Sequence, residues 1–175
     1  MELDAEPGSA TANSFLTVEE ADDILSGRPS TYTTAWFEDA DDDDKAAALI
    51  WATTIIGART CWTGGASLET QALTWPRIGM TNRNGFAIPE DVVPYELKVA
   101  TAELALKLLS ADLTADNDAS AQGLKRVKAG PVEVEWKDEV AAAALPGIVQ
   151  DYLVPSWLCP VVTASSPTPF LFEAL

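Results

Sequence analysis

Leu73–Leu109, LTWPRIGMTNRNGFAIPEDVVPYELKVATAELALKLL, is the stretch around which the rest of the chain is organised. Its first half reads as a rigid loop. Pro76 restricts the backbone of Trp75, and Asn84-Gly85 is a turn dipeptide that tolerates positive φ. Its second half reads as a helix. Pro94 has no N–H to lose at a helix start, and apolar residues recur at Tyr95, Val99, Ala102, Leu106 and Leu109. Leu97, Leu104 and Leu108 widen that stripe, while Glu103 and Lys107 are expected to pair four residues apart on the solvent side. Trp75 is expected to be buried and to fix the approach to this helix. No obvious catalytic group lies in the stretch.

Upstream, Asp39 and Asp41 to Asp44 precede AAALIWATTIIGA, which predicts a helix over about 42–59. Carboxylates at a helix N-terminus favour its macrodipole and its free N–H groups. As a calcium loop counted from Asp39 the run fails, because Asp44 stands where glycine is needed and Ile50 where glutamate is needed. This helix is apolar almost all round, so it is expected in the centre of the core or against a neighbouring subunit. Thr17-Val-Glu-Glu20 reads as a capping box opening a helix to about Ser26, with Val18, Ala21, Ile24 and Leu25 inward and Gly27 and Pro29 closing it. Residues 30–40, with Tyr32, Trp36 and Phe37, read as a loop, and residues 1–13 as a flexible lead.

Downstream, residues 60–90 read as irregular, with Gly64-Gly65 outside any phosphate-loop pattern. Arg77 and Arg83 in this candidate interface loop could grip a partner's carboxylates; the default reading is that they pair with the chain's own acids. Ala111–Gln122 reads as a polar linker. Residues 124–136 predict a β-hairpin, in which Val132, Val134 and Trp136 alternate with Glu133 and Glu135. Its other strand holds the one basic cluster, Lys125, Arg126 and Lys128, which the two glutamates can offset. Leu145–Leu153 predicts a short helix. Beyond it, Pro155, Pro160, Pro167 and Pro169 forbid a long one, yet Trp157, Phe170, Leu171, Phe172 and Leu175 make residues 154–175 sticky. Such a tail suits docking on a partner.

The 175 residues suffice for one domain, here placed at 14–153 between the two arms. The fold class expected is mainly α: a small helical bundle with one β-hairpin and extended N- and C-terminal arms. Net charge is −16, and residues 1–44 hold 13 acidic side chains against one basic one, Arg28. That front end repels polyanions and argues against the phosphate neutralisation behind non-specific nucleic-acid binding. Histidine is absent, which removes the commonest general base and transition-metal ligand. Neither a nucleophile–base pair nor a metal-ligand spacing stands out, so no enzyme activity, catalytic residue, cofactor or metal is expected. Cys61 and Cys159, 98 residues apart, are expected to be reduced thiols of a cytosolic product. No signal peptide is recognised, and the most apolar run, Ala46–Ile56, is too short to span a bilayer.

In order, NSFLTVEEAD, the ALI at Ala48–Ile50, LTWPRIGM, NRNG, IPEDVVPYELKVATAELAL and RVKAGPVEVEW resemble one phage family over roughly residues 13–155. It is the family labelled DnaT-like single-stranded-DNA-binding protein, encoded among the head genes of tailed phages. The chain is also similar to the adaptor proteins that sit between portal and tail. The adaptor resemblance implies a virion protein of the neck, present in the host cytoplasm during assembly. It implies a homo-dodecameric ring that contacts the portal protein and a downstream neck, stopper or tail-terminator protein. Genomic DNA would pass through the lumen without specific binding, and no membrane is involved. By the same resemblance, Trp157, Phe170, Leu171, Phe172 and Leu175 would form the portal-binding arm. The alternative is a replication accessory that binds single strands.

Overall fold

The capping box at Thr17 forms as the sequence predicts. In the computed structural model the Glu20 N–H donates to the Thr17 hydroxyl at 3.2 Å, and the Thr17 N–H donates to the Glu20 carboxylate at 3.1 Å. The structure describes residues 2–110, 126–129, 132–135 and 145–160. Helix α1 runs Val18–Ser26, α2 Ser30–Phe37, α3 Asp42–Arg59, α4 Tyr95–Ser110 and α5 Gly147–Tyr152, with a 3-10 turn at Pro155–Trp157. Two-residue strands β1 (Gly65–Ala66) and β2 (Arg77–Ile78) pair antiparallel; β3 (Arg126–Ala129) and β4 (Val132–Glu135) make the predicted hairpin. The protein is therefore mainly helical with a β-hairpin, as the periodicities indicate.

α4 is the centre of the bundle and touches α1, α2, α3 and α5. Leu97 and residues 99–106 are all buried. Burying side chains such as Leu97, Leu104 and Leu106 is worth about 1.5–3 kcal/mol each. The sequence leaves α3 either in the centre of the core or against a neighbouring subunit, and in this chain the centre belongs to α4. α3 buries Leu49, Ala52, Ile55 and Ile56 against α4 but turns Ala47, Trp51, Thr54 and Ala58 outward. Its start agrees with the helix-capping reading of the aspartates: the Asp41 carboxylate accepts the Asp44 N–H at 2.9 Å.

Four further expectations are corrected. Residues 30–37 are helical, not loop, because Trp36 and Thr33 are buried and that packing outweighs the weak propensity of STYTTAWF. Tyr95, expected inward, stands 67 % exposed at the first turn of α4. Glu103, expected on the solvent side with Lys107, is fully buried and pairs with Arg28 at 2.8 Å. Tyr32 also donates to Glu103 at 2.8 Å, and Arg28 donates to the Tyr152 hydroxyl at 2.8 Å. The Glu103 carboxylate thus joins α4 to α2 and to the link between α1 and α2, and Arg28 carries the network on to α5. Nor do residues 2–13 behave as a loose lead. The Asn13 N–H donates to the Asp4 carbonyl at 2.8 Å, Ala72 N–H to the Ser9 carbonyl at 3.1 Å, and Ala12 is buried.

Candidate functional site

The loop between α3 and α4 is held by three tryptophans. Trp75, followed by a cis peptide bond to Pro76, is buried as the sequence predicts. Its ring meets Trp62 edge-on at 5.7 Å between centroids and Trp157 at 5.0 Å, separations at which aromatic pairs attract beyond their area. The Trp157 indole N–H donates to the Thr81 carbonyl at 2.7 Å. Trp157 is thus a core residue and not part of a portal-binding arm; the C-terminal chain is fixed to the body as far as Cys159. Phe170, Leu171, Phe172 and Leu175, assigned to that arm, lie outside the described residues.

Cys61 and Cys159 are disulfide-bonded, which corrects the expectation of two free thiols. The segments that follow α3 and the 3-10 turn run side by side here. The Cys159 N–H donates to the Cys61 carbonyl at 2.9 Å, and the Thr63 N–H to the Trp157 carbonyl at 2.7 Å. A spacing of 98 residues hides this meeting, since only the tertiary fold brings the two ends of the domain together.

Among the described residues neither arginine of the candidate interface loop meets a carboxylate. Arg77 spreads its guanidinium over three backbone carbonyls, those of Thr63 at 2.8 Å, Thr74 at 3.0 Å and Gly64 at 3.0 Å. It thereby ties β2 to the turn before β1, and burial pulls its pKa below the usual arginine value. Gly64 is required in this turn: its φ is +66°, and an added Cβ would lie 2.4 Å from the Ile78 carbonyl oxygen. Arg83 donates to the Asp151 carbonyl and ties the same loop to α5. Both residues hold the chain to itself.

The described lysines outside the hairpin are similarly engaged. Lys45 pairs with Asp22 at 3.3 Å and lies 5.6 Å from the ring centroids of Trp36 and Phe37. Lys98 pairs with Glu20, and Lys107 lies 5.9 Å over the Tyr32 ring. Arg59, at the exposed end of α3, has no carboxylate within salt-bridge distance among the described residues. In the hairpin, register sets Arg126 opposite Glu135 and Lys128 opposite Glu133, the offset that the alternation suggests; Lys125 and Trp136 lie outside the described residues. An open depression of 690 Å³ is lined by Glu2, Asp4 and Glu6 with Thr11 and Asn13. Hydrogen bonds from the Glu6 N–H and the Thr11 hydroxyl hold the Asp4 carboxyl below its ordinary pKa, so it stays charged. No group of three metal-ligating side chains is found among the described residues.

Beside its acid, the surface offers a partner exposed apolar side chains. Trp51 is 49 % exposed on α3, Phe86 69 % in the loop after Gly85, and Val92 and Tyr95 are exposed at the start of α4. Trp51 lies in a helix that is apolar almost all round by sequence, and the structure puts it outside. Its neighbours Ala47 and Thr54 are equally outward, a pattern hidden because α3 carries apolar residues on every side.

A family model described as "Putative DnaT-like ssDNA binding protein" matches residues 1–166. The chain belongs to that family. No curated protein and no solved structure matches it.

Proposed function

We propose that the chain is a non-catalytic interaction subunit, and, following its resemblance to neck proteins, a head-to-tail adaptor of a tailed phage. About twelve copies would close into a ring between the portal and the downstream neck or tail protein, cyclic closure being a common outcome for identical subunits. The observation that carries the reading is the disposition of charge. Six of the seven cations in residues 2–110 are engaged within the chain, by carboxylates, carbonyls or rings, while most of the described acids face solvent. A single-strand binder needs a basic groove along the phosphates with aromatic rings beneath the bases. Among the described residues the surface has exposed rings without such a groove, whereas a wall of acid would let DNA pass without adhering.

The family description favours the second reading, single-stranded-DNA binding, and among the comparisons it is the one with support. Trp51, Phe86 and Tyr95 are rings that bases could stack on. Fluorescence anisotropy with a labelled oligothymidine separates the two. The adaptor reading expects affinity no better than that of an unrelated acidic protein at physiological salt. Sub-micromolar binding that falls steeply with salt and is abolished by Lys125→Glu or Lys128→Glu would overturn it. A fixed-ratio minor component in purified virions, with a ring mass on assembly, is the positive result expected.

A further inference from the structure

The outer face of α3 is self-complementary, and we infer that it is a docking surface for a second copy of this chain. Asp44, Ala47, Trp51, Thr54 and Ala58 fall within about 80° of one another around the helix, on the side away from α4. All five are exposed, and Trp51 stands in the middle, seven residues from both Asp44 and Ala58. Arg59 follows Ala58 directly. Antiparallel pairing about a twofold axis at Trp51 sets the two indoles side by side and lays each Ala47 near the other copy's Thr54. The same operation brings Arg59 of each copy to Asp44 of the other. Small residues flanking a central ring let two helix backbones approach closely. Two charge pairs, one at each end, fix the antiparallel direction and disfavour the parallel one.

The contact is isologous. It makes closed pairs and is separate from any ring contact, which would join two unlike faces. It holds whether the chain is an adaptor or a DNA binder. One helix face is smaller than a standard interface, so the dissociation constant is expected on the order of 10 μM.

Sedimentation equilibrium of the full chain across the micromolar range tests this. A reversible monomer–dimer equilibrium is expected, with Trp51→Glu raising the dissociation constant about tenfold or more. Arg59→Glu should weaken the dimer by setting like charges opposite each other at Asp44, a loss that added salt partly relieves, and the charge-reversed pair Asp44→Arg with Arg59→Glu should restore it. Unchanged helical circular dichroism in each variant separates loss of contact from loss of fold. A chain that is monomeric throughout would overturn the inference. So would a dimer indifferent to Trp51→Glu, or a double reversal that fails to rescue. Dimers that appear only after removal of residues 161–175 would identify the tail as the occupant of this face, and would overturn it too.

Discussion

Replacing Cys61 and Cys159 by alanine should leave the native structure in place and lower its stability through the unfolded state. The bond closes a span of 98 residues. Chain entropy for a loop near that length gives about 4.7 kcal/mol at 25 °C. For a domain of this size, that corresponds to a melting temperature lower by about 10–20 °C. In the folded state little else changes, because the Cys159–Cys61 and Thr63–Trp157 backbone hydrogen bonds and the Trp62–Trp75–Trp157 cluster keep the same segments together. Urea unfolding with and without reductant is the assay. The reduced or substituted chain should show a lower midpoint and also a larger m-value, since its unfolded ensemble expands further. Two free thiols in the unreduced, denatured protein would refute the reasoning. So would a stability loss below about 1 kcal/mol with an unchanged m-value.

Arg28→Ala should cost more than Glu103→Gln. The first strands a fully buried carboxylate, a loss of about 3–5 kcal/mol, while the second leaves a partly exposed guanidinium that water can reach, about 1–3 kcal/mol; chemical denaturation of each variant gives both numbers. Burial first, then the hydrogen bond to Glu103, raises the Tyr32 pKa from 10.0 to about 12. Its protonated form is the one the fold favours, so the associated stability is present below pH 10 and is lost as pH climbs from 10 towards 12. Tyr32→Phe should remove that alkaline component from a pH series of melts, and a series unchanged by the substitution would show the assignment to be wrong. Trp75→Ala and Trp157→Ala should each cost about 3–5 kcal/mol by thermal melting, as large core aromatics do. Deleting residues 164–175 should keep the helical signal and, on the adaptor reading, abolish attachment to the portal. Normal attachment of the truncated chain would place the anchor elsewhere.

Local rules were readable wherever they were strong. The capping box at Thr17–Glu20, the aspartates before α3, the start of α4 behind Pro94 and the paired strand at Val132–Glu135 each reached the structure as written. Burial was harder to read, because it depends on which face meets which. α3 and α4 are both apolar on more than one side, and periodicity alone cannot say that α4 is surrounded while α3 is covered on one side. Glu103 was misread for the same reason. Its spacing to Lys107 fits a surface pair, but α4 is enclosed at that turn, and Arg28 from a residue 75 positions away takes the carboxylate. Trp157 was misplaced by the prolines around it. They mark extended backbone correctly, yet extended backbone can still carry a buried ring.

Charge gives the sharpest divergence between counting residues and placing them. By composition the chain has 11 cations to offer an anionic partner. In place, Arg77 and Arg83 hold backbone carbonyls, Arg28 and Lys98 hold carboxylates, and Lys45 and Lys107 lie over rings as well. A phosphate could recruit them only by displacing contacts that hold the loop, α1, α2 and α5 in position. Binding of that kind would come with loss of the fold's own bonds and would show as destabilisation. DNA affinity consistent with an intact fold would therefore have to come from the hairpin cluster at Lys125–Lys128, from Lys137 and from Arg59. At the hairpin it faces Glu133 and Glu135 across the strands. Reversing those two glutamates to lysine is then the variant most able to raise single-strand affinity. If it does so by orders of magnitude while the native chain binds nothing, the acid opposite the basic cluster is what keeps this surface from DNA. If it changes nothing, the hairpin is not a nucleic-acid element, and the family's description does not extend to this member's surface.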